Sequence, residues 1–284
     1  MARGRRTARE LEAAAARRPP PRPPAGAEGG EALAMLVRRG LSPRLTPPDL
    51  PFPADLPADA LDAIEDGLHH YALRLFLRGA ILRGGAFAPG EATRYLAAAA
   101  ARRAADQLRA LGVLAPAGRG RYRLVRRARS FGGTLEWWMA RALRRRLALD
   151  VACGVRSGAR GVGGDLDVVA AGEGKLVYLE LKSSPPKHLT PAELDAFLRR
   201  VDALRPDLSL FAVDTALRLS DKVLPMLAAA LARAGLPAGQ PRRVVRETWA
   251  LAPGLYAANA RQDLVENVCR AIADGLLRRG GPGP

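Results

Sequence analysis

Two carboxylates and an ammonium stand close together in GGDLDVVAAGEGKLVYLELKSS, residues 163–184. In a strand, successive side chains point to opposite faces. KLVYLELK then sends Val177, Leu179 and Leu181 one way and Tyr178, Glu180 and Lys182 the other. In GDLDVVAA, Leu166 and Val168 share one face, while Asp165, Asp167 and Val169 share the other. The AGEG turn between the runs is short, so the two strands are expected to pair as an antiparallel hairpin, with Asp167 near Glu180 and Lys182. Gathered carboxylates repel one another unless a cation joins them. Oxygen-rich donor sets suit Mg²⁺ or Mn²⁺. Such an ion makes bound water more acidic and stabilises charge on a phosphoryl group, and an adjacent lysine can orient that water. This is a kit for phosphodiester hydrolysis. The plain alternative is a surface strand whose Glu and Lys form a pair worth only ~0.2–1 kcal/mol.

The neighbouring elements must bring these groups together. TLEWWMARALRRRLAL reads as a helix of about four turns. On it Glu136 is in line with Met139, Ala140, Leu143 and Leu147, a stripe expected to face the sheet. A carboxylate is out of place on a purely structural stripe, and here it is expected to reach the same cation. LDVACGVRS is a strand ahead of the hairpin. TPAELDAFLRRVDAL is a helix behind it, with Thr190 as N-cap and Pro191 at its first position. LSLFAVDT is the next strand, and SDKVLPMLAAALARAG is a helix capped by Ser220 and ended by Gly235. The order is α-β-β-β-α-β, then α. VVRETWALAPGLYAAN is read as one more strand before the helix DLVENVCRAIADGLL.

Glu136 on the first helix, then Asp167, a spacer and Glu180-x-Lys182 on a hairpin in that order resembles the PD-(D/E)xK nuclease superfamily, over roughly residues 130–235. The resemblance implies an α/β, restriction endonuclease-like core with a mixed sheet, and Mg²⁺ or Mn²⁺ as cofactor. It implies that Asp167, Glu180 and Glu136 bind the metal and that Lys182 assists the attacking water. Asp165 falls where some members carry a second acid. Ser183 or Ser184 would orient the lysine or touch phosphate. The proline of the family's name is absent, since Leu166 precedes Asp167.

The rest of the chain is divided into three parts. Residues 1–30 are a basic, Pro-rich leader, expected to be disordered. Residues 31–67 hold a short helix and a Pro-rich connector. Residues 68–128 read as helices followed by a basic hairpin, VLAPAGRGRYRLV, and resemble a winged helix-turn-helix, a small winged-helix domain in front of the 130–280 nuclease-like domain. Arg102, Arg103 and Arg109 would then lie on or near its second helix and Arg119, Arg121 and Arg123 on the wing, all facing nucleic acid.

Composition supports a polyanionic partner but does not by itself prove one. The formal charge is +17, from 45 basic and 28 acidic residues. Only Lys175, Lys182, Lys187 and Lys222 are lysines, so much of the charge follows from an arginine-rich composition. That scarcity makes Lys182 informative, because Arg does not replace a compact ammonium. At 48% hydrophobic the chain can bury a core. No apolar run approaches the ~20 residues of a membrane span. Cys153 and Cys269 lack metal-like spacing, and a reduced, cytoplasmic protein is expected. His69, His70 and His188 form no ligand or triad pattern, and Trp137 and Trp138 read as packing residues. Lys187 and His188 are expected near the mouth of the site, and Asp214 is expected in a helix cap or salt bridge. The leading expectation is a metal-dependent deoxyribonuclease, with a homodimer as one option where two strands are cut. The competing expectations are a winged-helix DNA-binding regulator on an inactive nuclease fold and a protein-binding adaptor.

Overall fold

The computed structural model describes residues 29–158, 163–183, 185–236 and 239–278. The leader up to residue 28, Ser184 and the last residues of the chain lie outside them. The protein is an α/β protein built on one large mixed sheet. Its helices are α1 (Gly30–Arg38), α2 (Ala58–Leu68), α3 (Tyr71–Arg83), α4 (Pro89–Ala92), α5 (Ala98–Ala110), α6 (Gly132–Leu147), α7 (Pro191–Leu204), α8 (Val223–Arg233) and α9 (Leu264–Arg278). Its strands are β1 (Pro43–Leu45), β2 (Leu114–Pro116), β3 (Tyr122–Leu124), β4 (Asp150–Ser157), β5 (Asp165–Gly172), β6 (Lys175–Lys182), β7 (Leu208–Val213), β8 (Arg242–Val245), β9 (Thr248–Ala252) and β10 (Leu255–Asn259).

The sheet order is β1-β4-β5-β6-β7-β10-β9-β8. The β5–β6 hairpin pairs Val168 with Leu179 and Gly172 with Lys175. The β6–β7 and β7–β10 pairs are parallel. A parallel pair needs a crossover, and α7 supplies it between β6 and β7. The elements α6-β4-β5-β6-α7-β7 follow the expected order.

Both faces of the sheet are covered. One core gathers Leu135, Trp138, Met139 and Leu143 of α6 with Val177, Leu179 and Leu181 of β6. The other gathers Leu194, Phe197 and Leu198 of α7 with Leu176 and Tyr178 of β6. Strands covered on both sides read as near-continuous apolar runs, as β6 and β7 do. The expectation of one polar face on β6 therefore holds only at its end. Tyr178, on the face of Glu180, is buried against Phe197 with ring centroids 5.8 Å apart.

Three local readings need revision. The connector at 31–67 contributes to the sheet: β1 pairs antiparallel with β4, Pro43 opposite Ser157. Asp150 at the start of β4 accepts hydrogen bonds from the backbone N–H groups of Gly29 (2.9 Å) and Ala32 (3.0 Å), satisfying donors that the first turn of α1 leaves free. Helix α8 starts at Val223 with Lys222 as N-cap, and Ser220 bonds to Asp221 instead. The tail expected to hold one strand holds three, turned by tight connections at Arg246 and Gly254.

The segment 68–128 packs on the sheet unit through the same core as α6. Phe87 bridges to Tyr122, so the hairpin β2–β3 is tied back to the segment between α3 and α4. Arg74 and Arg78 of α3 reach Asp214, beyond β7, with N···O distances of 3.0 and 2.6 Å.

Candidate functional site

Strand alternation puts Glu180 and Lys182 on one face at the C-terminal end of β6, and the hairpin puts Asp167 opposite. The Asp167 carboxylate accepts the backbone N–H of Leu181 at 2.7 Å, so a side chain replaces the ladder hydrogen bond just where the two strands stop pairing. Glu180 is 3% exposed. Its Oε1 lies 2.9 Å from Lys182 Nζ, and its Oε2 accepts Arg200 at 2.8 Å and the Tyr178 hydroxyl. Lys182 also lies 3.5 Å from Glu193, the third residue of α7, whose carboxylate caps the helix by accepting the Thr190 N–H at 2.9 Å. Thr190 and Pro191 therefore sit where expected.

Glu136 comes from α6 and is half-buried beside its apolar stripe. Its carboxyl is pushed up to about 7, first by burial and then by the charges of Asp165 and Glu180. Asp167 is raised well above the usual carboxylate range, first by burial, then by Glu180 and Glu136. Glu136 and Asp167 thus each sense the charge of Glu180. Burial works against the Lys182 charge, but Glu180, Asp167 and Glu193 outweigh it and raise the ammonium's pKa.

The donor chemistry fits a hard divalent cation. Two carboxyls are raised in pKa, first by burial and then by neighbouring carboxylates, and Glu180 Oε1 keeps an acceptor position beyond Lys182. Among the described residues, no three His, Cys, Asp or Glu side chains stand close enough to form a ready metal group. The carboxylates are thus not closed around a centre.

The remaining candidates are placed as follows. Asp165 is exposed and paired with Arg156 at 2.9 Å. Ser183 is half-buried just past β6, and Lys187 is exposed in a short 3-10 turn, Pro186–His188. Arg102, Arg103 and Arg109 are exposed on α5, as are Arg119 and Arg123 on the hairpin. Arg121 instead ties the hairpin to α4 through Glu91 at 3.0 Å. Arg200 was missed by sequence reasoning. The available signal was its spacing on α7: Glu193, Phe197 and Arg200 recur at helical intervals on the face that meets β6. One arginine among many basic residues carries little weight unless that register is checked.

The fold and site define an α/β protein with a carboxylate–lysine cluster at one end of its central strands. No protein-family model matches the chain, and no curated protein matches it. Among solved structures it is similar to Can2 from Sulfobacillus thermosulfidooxidans in complex with cyclic tetra-adenylate, with TM-score 0.50 and 17% identity, over 85% of this chain and 60% of that one. It is also similar to the protein VC1899 from Vibrio cholerae, with TM-score 0.50 and 14% identity, over 86% of this chain and 62% of that one. At these identities the likeness concerns the fold, and this chain spans less than two thirds of either neighbour. No helix among the described residues is long and apolar enough to cross a membrane.

Proposed function

We propose that the protein is a Mg²⁺- or Mn²⁺-dependent nuclease of the PD-(D/E)xK type acting on DNA, in repair, recombination or defence. In this reading residues 68–128 form a winged-helix module for nucleic acid. The observation that carries it is the placement of Asp167, Glu180 and Lys182 together at one end of the β5–β6 hairpin, with the Asp167 and Glu136 carboxyls raised in pKa, first by burial and then by neighbouring carboxylates. The element order α6-β4-β5-β6-α7-β7 supports a restriction endonuclease-like core. The sequence α3, Phe87 bridge, α4, α5 and β2–β3 hairpin supports the winged helix. Can2 carries a cyclic oligonucleotide, and a nucleotide polyanion suits a chain of net charge +17.

Asp167, Glu136 and the open position of Glu180 would hold the cation, which when bound supplies an acidified water and neutralises charge on the phosphoryl group. Lys182 remains an ammonium, since its neighbours raise its pKa. It therefore serves as a hydrogen-bond donor and fixed charge that orients the water and steadies the anionic transition state, not as a base. Arg200 positions Glu180 and, by donating to the Gly163 carbonyl at 3.0 Å, also holds the loop entering β5. Exposed arginines of α5 and the hairpin supply phosphate affinity that weakens with salt.

The test is cleavage of a panel of DNA and RNA forms with Mg²⁺, Mn²⁺ or chelator. Glu180→Ala and Lys182→Ala are expected to lose ~10²-fold or more in rate while still binding DNA. Wild-type-like cleavage by both variants sinks the assignment. A second reading, a DNA-binding regulator on an inactive nuclease fold, is favoured by one observation: Glu180 is already occupied by Lys182, Arg200 and Tyr178. Specific binding by the full chain with no cleavage under any cation would select it.

A further inference from the structure

Between the helical segment and the sheet runs a groove of ≈ 760 Å³. Leu75 and Leu82 of α3 and Tyr95, before α5, form one wall; Pro185, Lys187 and Leu217 form the other. The second wall belongs to the loops that leave β6 and β7. Pro185 is three residues beyond Lys182, and the N–H of Asp214 donates to the Lys182 carbonyl at 2.8 Å. The groove therefore opens at the same end of the sheet as the carboxylate–lysine cluster.

Its chemistry is mixed in a particular way. Leu82, Tyr95 and Leu217 are 79%, 63% and 63% exposed, and they converge on this one groove. Single exposed apolar side chains are ordinary, whereas a grouped set marks a binding surface. Cations stand beside them, Arg94 and Lys187, while Arg78 is paired with Asp214 at 2.6 Å. Arg94 lies over the Tyr95 ring at 5.1 Å, and its hydrogen bond, followed by the charges of Arg94 and Lys187, draws the Tyr95 hydroxyl down in pKa. Lys187 of the sheet unit and Tyr95 of the helical segment thus face each other across the groove. Glu91, a carboxylate in the lining, is neutralised by Arg121 at 3.0 Å. An aromatic face flanked by cations suits a nucleobase and its phosphate. The volume suits a small ligand, and bases inside a duplex keep their faces stacked on one another.

We infer that this groove holds one unpaired nucleotide of the strand being cut, its base against Tyr95 and its phosphate against Lys187 and Arg94. The inference rests on the nuclease reading for the words "being cut", but the groove itself is tested without cleavage. The full chain is titrated in EDTA with single-stranded oligonucleotides carrying 2-aminopurine. Stacking is expected to quench the base, and Tyr95→Ala and Lys187→Ala are expected to weaken binding about tenfold or more, with Tyr95→Phe retaining the quench. Tyr95 and Lys187 are exposed, and unchanged thermal unfolding of the variants checks that they fold. In a second arm, with Mg²⁺ or Mn²⁺, one abasic site is walked along the oligonucleotide. One position is expected to slow cleavage by the wild type and not by Tyr95→Ala. Cleavage indifferent to both the abasic walk and Tyr95, with no quench, overturns the groove and leaves the nuclease. Tyr95-dependent binding with no cleavage under any cation overturns the nuclease and leaves a nucleotide groove. Absence of both overturns both, and would turn the apolar wall toward a protein partner.

Discussion

Two buried carboxylate sites lie at the ends of neighbouring strands, and their charge is met in opposite ways. Asp214, past β7, is fully buried and faces two guanidinium groups, Arg74 at 3.0 Å and Arg78 at 2.6 Å. Arg74, equally buried, also donates to the Leu68 carbonyl and lies over the Trp138 ring at 4.9 Å. Asp167, past the last β5–β6 pair, has one backbone N–H at 2.7 Å and two further carboxylates in electrostatic reach. The cations nearest that cluster, Lys182 and Arg200, are both engaged by Glu180. The first site closes its charge within the chain and joins two structural units. The second gathers carboxyls whose pKa is raised, first by burial and then by one another, so they either keep their protons or need a cation.

The largest effect expected from this contrast is on stability at the closed site. Asp214→Ala leaves Arg74 buried without its carboxylate, and breaking such a pair costs ~3–5 kcal/mol. Urea unfolding measures it, and added Mg²⁺ should leave the gap between wild type and variant unchanged. A cost near that of a surface pair would break the contrast.

The open site should respond in the other direction. Glu136 is raised from 4.5 to about 7 in the folded chain. A carboxyl with a raised folded pKa stabilises fully below the unfolded value and loses that contribution as pH rises through the folded one. Above pH 7, then, the ionised Glu136 works against folding, by burial first and by Asp165 and Glu180 next. Glu136→Gln is expected to stabilise the protein at pH 8 by up to ~3 kcal/mol, with the difference vanishing toward pH 4. Thermal unfolding across that range checks it. A destabilised Gln variant at pH 8 would mean that the carboxylate is already compensated.

How much of this was legible in the sequence follows from the range of each signal. The hairpin acids and Lys182 were legible because strand alternation and a short turn are local rules. Glu136 was legible because its helix carries a regular apolar stripe. The edge strand β1 was hidden, since PRL lies among prolines and gains its structure only by pairing with β4, more than a hundred residues away. Strands β8 and β9 were merged with β10 because the sharp turns at Arg246 and Gly254 are marked only faintly in sequence. The two-sided burial of β6 was missed for a related reason: Tyr178 reads as polar until Phe197 of α7 is packed on it. The pairing of Asp214 with Arg74 spans 140 residues, and no spacing rule reaches so far.

The smallest effect is also the most selective. If the open site takes a divalent cation, the ion binds the folded state and stabilises it by mass action, ~1.4 kcal/mol at ten times its Kd. Mg²⁺ or Mn²⁺ should therefore raise the unfolding temperature of the wild type and of Asp214→Ala, and leave Asp167→Asn unmoved. Protons compete for the same oxygens, and Glu136 holds its proton up to about 7. The cation-dependent shift should be nearly absent at pH 5.5 and full at pH 8, while Ca²⁺ and Mg²⁺ report whether the oxygens accept more than one ionic radius. A shift of equal size at both pH values, or one that survives in Asp167→Asn, would place the cation elsewhere, and the two carboxylate sites would then differ only in burial. A shift confined to high pH and lost with Asp167 ties the cation to this cluster, since Glu136 and Asp167 are the described carboxyls whose pKa is raised, each in part by Glu180.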